Sequence, residues 1–199
     1  MTLETPARRE GPLPPGREQL ERVRARDPEA LAAFFERYFD LVYGLVFRLL
    51  GRREAAEDVT QDVFLKVHRA APQIDSSRDP APWLVAIATN ACRDVWRSGA
   101  YRMNQRSASI EDDPGIMVRL TASDATPEAA LLRAERERLV QQALNELPEP
   151  LRAAIVLHDY QGLDHQQVAD LTGIEHAAAR KRYSRALVAL GKKLKEKMA

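Results

Sequence analysis

Apolar residues recur along this chain at intervals of three and four, separated by prolines, glycines and short polar residues. That spacing is the mark of helices that bury one face. Leu20 and Val23 begin the pattern after Arg17. Leu31, Phe34, Phe35, Tyr38, Leu41, Val42, Leu45, Val46 and Leu49 continue it between Asp27-Pro28-Glu29 and Gly51. Asp27 carries the short acceptor of an N-cap, Pro28 suits a first helical position, and Glu29 complements the positive end of the helix dipole. Gly51 offers the left-handed residue that stops a helix.

A second amphipathic segment, Glu54 to Ala71, places Ala55, Val59, Val63, Phe64 and Val67 on one face and Glu57, Asp58, Gln61, Asp62 and Lys66 on the other. Read alone, that polar face is either an interface or a solvated surface. Pro72 to Arg78 is rich in turn formers, and Asp79-Pro80 predicts an N-cap and first-turn proline for a helix through Trp83, Leu84, Ile87, Ala91, Val95 and Trp96. Trp83 is expected in the core, whereas Trp96 fits either a core or a stacking role. These helices predict one packed domain over 17–98. Residues 1–16, with four prolines and no apolar period, predict a disordered tail. From Gly99 the periodicity fails, so 99–125 is expected to be a flexible linker.

Thr126-Pro127-Glu128 repeats the cap, proline and acid signature and opens a second domain, 126–199. A helix is predicted to about Leu147, with Pro148 and Pro150 restarting the chain. Asp164 and Gln167 have capping-box spacing, Val168 and Leu171 face inward, and Gly173 ends a short helix near Thr172. The next helix starts near Glu175, with Ala179, Tyr183, Ala186, Leu187 and Leu190 as the inward stripe and Arg180, Lys181, Arg182, Ser184 and Arg185 outside. This is the form of a helix-turn-helix whose second helix meets phosphates and base edges in a major groove. His176 to Ala199 holds eight Lys or Arg against the single acid Glu196, about +7 in a chain whose net charge is +1. The basic charge is local and points to DNA. A basic surface helix would account for Lys192 to Lys197 through the helix dipole, but not for the turn at Gly173 or the cluster Arg180 to Arg185.

Composition agrees with an all-α chain of two helical domains. Of 199 residues 45% are hydrophobic, 6% aromatic and 30% charged, without the alternating β-branched runs of strands. No apolar run is long enough to span a bilayer and the N-terminus has no apolar signal core, so a cytoplasmic location without membrane insertion is expected. The single cysteine, Cys92, excludes an internal disulfide and reads as a small buried residue. His68, His158, His165 and His176 lack metal-ligand spacing, and no phosphate-binding glycine loop or nucleophile motif occurs. Neither an enzyme nor a cofactor or metal is expected.

In this order of domains, the chain from about Glu18 to Leu194 resembles the group IV, extracytoplasmic-function (ECF) sigma factors of bacteria. The resemblance rests on AEDVTQDVFLKVHR (Ala56 to Arg69), PWLVAIATNACRDVWR (Pro82 to Arg97) and LNELPEPLRAAIVLHDYQGLDHQQVADLTGI (Leu144 to Ile174). It implies a sigma region 2 that binds the RNA polymerase clamp and opens the promoter minus-10 element, and a region 4 that binds the minus-35 element. By that resemblance Asp58, Gln61, Asp62 and Phe64 meet core polymerase. Gln73, Asp75, Ser76 and Ser77 hydrogen-bond a base that has left the stack, and Asn90, Arg93 and Arg97 line the strand path. His176, Arg180, Lys181, Ser184 and Arg185 read the minus-35 element. Ala81, Ala86 and Thr89 replace frequent basic residues of the family, and Ala177-Ala178-Ala179 replaces a common Gly-Thr-Val. The resemblance further implies an anti-sigma factor as inhibitor, and a linker whose Glu111-Asp112-Asp113 lies in the basic channel of the polymerase.

The other reading left by the sequence is a conventional helix-turn-helix repressor or activator with a helical sensor domain. It would bind a palindromic operator without polymerase, and it leaves the string AEDVTQDVF without a role.

Overall fold

The computed structural model describes residues 13–98 and 127–198, and every α-helix and shorter helical turn within them is joined by irregular connections without strands among the described residues. Most of the expected tail, the linker with Glu111-Asp112-Asp113, and Thr126 lie outside the described residues. The helices are α1 (Arg17–Arg24), α2 (Pro28–Leu50), α3 (Arg53–Ala70) and α4 (Ala81–Arg97), then α5 (Pro127–Asn145), α6 (Glu149–Ile155), α7 (His165–Thr172) and α8 (His176–Met198).

Helix α2 is the axis of the first half. Asp27 Oδ1 accepts the N–H of Ala30 at 3.0 Å with Pro28 in the first turn, a cap that contributes about 1 kcal/mol. At the other end Gly51 takes φ 73° and donates to Phe47 O at 2.8 Å. Phe34, Tyr38, Val42, Leu45 and Leu49 form the buried face of α2, met by Leu20 and Val23 of α1, Val59, Val63 and Val67 of α3, and Leu84, Ala88 and Cys92 of α4. Burial holds the Cys92 thiol far above its ordinary pKa, as suits a packing residue.

Two local expectations change. Pro80, not Asp79, occupies the N-cap position of α4, yet Asp79 Oδ1 still accepts the N–H of Ala81 at 2.9 Å. The first-turn donor is satisfied from one residue further back. Trp96, for which the sequence left core and stacking roles open, is buried in the core, and Trp83 is half-buried and packs against that core.

The second half packs α8 across α5, α6 and α7, with Leu144, Ile155, Leu157, Val168, Ala186 and Leu190 buried between them. Helix α6 widens into one π-helical turn, Val156–Tyr160, before the chain enters α7. Leu187, expected on the inward stripe of α8, is 38% exposed. Ala179 and Ala186 bury nearly completely and give α8 a narrower contact face than the spacing predicted.

The halves meet at the C-terminal end of α2. Carbonyls in the last turn of a helix have no partner within it. Here Gln141 Nε2 donates to Arg48 O at 3.4 Å, Arg152 Nη1 to Leu49 O at 2.7 Å, and Asn145 Nδ2 to Gly51 O at 3.4 Å. The Arg48 guanidinium lies 4.4 Å from the centre of the Tyr160 ring and pairs with Glu137 at 3.8 Å. Burial, with Glu137 nearby, pushes the Tyr160 hydroxyl up to about 12.

Candidate functional site

The helix-turn-helix is built as its sequence predicts. Asp164 accepts the N–H of Gln167 at 2.8 Å, and Gln167 Oε1 accepts the N–H of Asp164 at 2.9 Å, a complete capping box. Gly173 turns the chain at φ 69°, and Ile174 donates to Ala169 O at 3.0 Å. Tyr183 anchors α8 to the π-helical turn by donating to Asp159 Oδ1 at 2.7 Å. With Ala179 and Ala186 turned inward, His176, Arg180, Lys181, Ser184 and Arg185 are all exposed on α8, while Arg182 is half-buried. A face of this kind offers guanidinium and hydroxyl donors to bases and phosphates together.

On the first half, Asp58, Gln61 and Asp62 are exposed on α3 and Phe64 is half-buried. Phe64 packs at 4.9 Å from Phe35 and stacks at 6.4 Å on Phe39, which stacks in turn on Tyr43 at 5.6 Å. Between α2 and α3 the rings of Phe35, Phe39 and Phe64 line an open groove of about 570 Å³ whose rim carries Glu36, Asp40 and Gln61. Phe39 is 43% exposed and Leu65 48%. Both escaped the sequence reading, although each is a large apolar residue off its helix's buried stripe, and that was the available signal.

The loop before α4 divides its expected residues. Gln73 is exposed. Asp75 Oδ1 accepts both the N–H (2.9 Å) and the hydroxyl (2.5 Å) of Ser77, and these bonds lower the Asp75 pKa. Ser76 departs from expectation: it is 8% exposed and donates its hydroxyl to Glu21. It ties the loop to α1 and is not presented to a base. Gln73, Asp75, Arg78 and Trp83 border a cavity of about 500 Å³. On α4, Asn90 and Arg97 are exposed and Arg97 lies 4.0 Å from Asp94. Arg93 is half-buried and donates to Leu171 O of α7 at 3.3 Å, so α4 touches the first helix of the helix-turn-helix.

Three histidines far apart in sequence come together beside α8. His158 and His165 stack at 4.5 Å with planes 17° apart, and His176 lies 6.4 Å from His165. Their spacing in sequence gave no hint of this, because the π-helical turn and the two helix starts bring them together. No cluster of His, Cys, Asp or Glu among the described residues is arranged to hold a metal, and no helix there is long and apolar enough to cross a membrane.

Comparison with known proteins gives matches to two families in order: Sigma-70 region 2 over residues 34–102 and Sigma-70 region 4 over residues 137–190. The chain is 30% identical over 176 residues to the RNA polymerase sigma-H factor of Pseudomonas aeruginosa, covering 88% of this chain and 91% of that protein. It is 36% identical over 176 residues to the ECF RNA polymerase sigma factor SigK of Mycolicibacterium vanbaalenii, covering 87% and 86%. Against SigW of Bacillus subtilis the identity is 28%, covering 90% and 97%. Among solved structures, the fold is similar to the sigma factor RpoE in its complex with the anti-sigma factor NepR from Bartonella quintana (TM-score 0.61, 22% identity, 82% of this chain and 96% of that one). It is also similar to CnrH in complex with the cytosolic domain of CnrY (TM-score 0.59, 23% identity, 90% and 97%).

Proposed function

The chain belongs to the ECF group of sigma-70 RNA polymerase sigma factors, and from that membership we propose how its residues divide the work of transcription initiation. Region 2 docks on core polymerase through the α2–α3 groove, where Asp58, Gln61, Asp62 and Phe64 present charge and hydrogen bonds around an aromatic floor. Exposed Phe39 and Leu65 belong to the same surface, because a contiguous apolar patch with a polar rim is the usual form of a protein-binding site.

Promoter opening falls to the loop and α4. Drawing a base from the stack costs a few kcal/mol, offset by stacking and hydrogen bonds in a pocket. The cavity bordered by Gln73, Asp75 and half-exposed Trp83 has the chemistry for that capture, with Ser77 holding the loop turn through Asp75. Asn90, Arg93 and Arg97 follow one face of α4 toward the displaced strand. His176, Arg180, Lys181, Ser184 and Arg185 on α8 anchor the minus-35 element. The observation that carries the assignment is that all five stand exposed on a helix whose opposite face is buried by Ala179, Ala186 and Leu190. An anti-sigma protein is the expected inhibitor, since similar folds are found in complexes with such proteins.

The test is run-off transcription with core RNA polymerase on a pool of random-sequence promoter fragments. Transcripts that start at shared paired elements and require this chain support the assignment. A pool that yields no chain-dependent transcript overturns it.

A further inference from the structure

Near the start of α8, His158, His165 and His176 come from three different elements and surround one another with rings instead of with carboxylates. His158 stacks on His165 at 4.5 Å, Tyr183 meets the His158 ring edge-on at 4.4 Å and the His165 ring at 5.3 Å, and His176 is 6.4 Å from His165. His165 is the first residue of α7 and His176 the first of α8, so the positive dipole ends of both helices lie beside the cluster.

We propose that His158, His165 and His176 form a binding site for a DNA backbone phosphate that takes up a proton when it is occupied, so that this chain holds its minus-35 element more tightly as pH falls. The inference rests on the region 4 reading above and concerns chemistry that reading leaves open.

Hydrogen bonding sets the requirement for a proton. His158 Nδ1 lies 2.7 Å from Leu163 O, a group that only accepts, so Nδ1 carries the hydrogen. In the neutral ring Nε2 is then an acceptor, and an acceptor facing a phosphate oxygen repels it. A protonated ring donates instead.

The surroundings resist a proton on His165 in the free chain. The π-helical turn contributes His158 and Asp159, but the Asp159 carboxylate is already engaged by the Tyr183 hydroxyl at 2.7 Å. Helix α7 and its cap contribute His165 and Asp164, whose carboxylate accepts the N–H of Gln167. Helix α8 contributes His176 and Arg180, preceded by Glu175. Burial first, then His158, Arg180 and His176, hold His165 below its ordinary value, with Asp164 opposing them. A phosphate at the edge of the cluster reverses the balance. It neutralises the neighbouring cations and favours the imidazolium, so binding and protonation assist each other. The cluster sits beside Arg180 at the N-terminal edge of the exposed basic face, where a helix inserted in a groove meets the flanking backbone.

The experiment measures holoenzyme binding to a labelled promoter recovered from the random pool, at pH 6.0, 7.0 and 8.0 and several salt concentrations. The parent chain should bind about three- to sixfold more tightly at pH 6 than at pH 8, the part of a tenfold limit that falls between those pH values for one proton held more strongly by a full unit of pKa in the complex. His165→Gln should lose most of that pH dependence and, at pH 6 only, lower the salt slope by about 0.9, the value for one phosphate contact. His165→Arg, which keeps a cation at every pH, should bind tightly throughout. Equal pH slopes in the parent chain and His165→Gln, with transcription intact, overturn the proton-linked site and leave the sigma assignment standing. Failure of the parent chain to direct transcription on the pool overturns both.

Discussion

Arg152 reaches from α6 to the end of α2, where its Nη1 donates to Leu49 O at 2.7 Å. The same guanidinium donates from Nη2 to Asn145 O at 2.7 Å and to Leu147 O at 3.2 Å, so one buried cation serves carbonyls of both halves. Cations near a helix C-terminus also complement its dipole. Replacing Arg152 with Leu leaves these carbonyls buried with fewer donors, at about 1–3 kcal/mol for each one stranded. The variant should melt well below the parent chain by circular dichroism, and Arg152→Lys should recover only part of the loss because a single ammonium cannot span the three acceptors. An unchanged melting temperature for Arg152→Leu would show that water replaces the guanidinium.

Gly51 is bound to this same junction. Its φ is +73°, and a Cβ placed there would lie 2.3 Å from Asn145 Oδ1. Gly51→Ala should cost about 1–2 kcal/mol for the left-handed backbone, with a further loss from displacing Asn145. Asn145→Ala should relieve only the second part. Urea unfolding of both single variants and the double variant should therefore give a coupling of about 0.5 kcal/mol or more. Strict additivity would place Asn145 away from Gly51 in solution.

What could be read from the sequence was local. The caps at Asp27 and Asp164, the stops at Gly51 and Gly173, and the exposed arginines of α8 follow from residue chemistry within one or two turns. The burial of Ser76 and the depth of the tryptophans did not, because they are decided by α1 and by how deeply α4 sits against α2, contacts some tens of residues away. The histidine cluster was hidden for the same reason: His158 and His176 are separated by the whole turn that brings them together.

The loop before α4 gives a direct separation of folding from function. Ser76→Ala should lower the melting temperature, because its hydroxyl bonds Glu21, yet leave promoter opening by the folded protein unchanged. Gln73→Ala and Asn90→Ala, both at exposed positions, should leave melting unchanged and reduce opening about three- to tenfold, the worth of one net hydrogen bond. Permanganate reactivity of unpaired thymines in the holoenzyme complex measures opening. Equal opening defects for Ser76→Ala and Gln73→Ala would contradict the burial of Ser76.

Glu146 ties the far end of α8 to the loop after α5, with Lys197 Nζ at 2.5 Å and Lys193 Nζ at 3.0 Å. Hydrogen bonds from Lys197 and then Lys193 hold its pKa below the ordinary 4.5. A depressed carboxylate stabilises the fold above its unfolded pKa and loses that contribution as pH falls through its folded value. Glu146→Gln should therefore melt earlier than the parent chain above about pH 5 and converge with it under more acid conditions. A difference that persisted into strong acid would assign the loss to packing instead of charge.

With α4 on the minus-10 element and α8 on the minus-35 element as proposed, the arrangement of the two halves must yield for promoter binding. Minus-10 and minus-35 positions are separated by 25 base pairs in name, about 85 Å of duplex at about 3.4 Å per pair. Here α4 and α7 touch, with Arg93 Nη1 3.3 Å from Leu171 O. Even end to end, the 17 residues of α4 and 23 of α8 span only about 60 Å at about 1.5 Å per residue. Both elements can be held together only after Arg152 leaves Leu49 O, Gln141 leaves Arg48 O, and Arg48 leaves Glu137 and Tyr160. Dyes at exposed Glu18 and Lys195 should therefore report a separation that grows by tens of ångströms between the free chain and its promoter complex with polymerase. Glu137→Gln and Gln141→Leu, which weaken the junction without touching either DNA-facing face, should shift the free chain toward the longer separation. An unchanged separation on promoter binding would mean that one of the two DNA assignments is wrong.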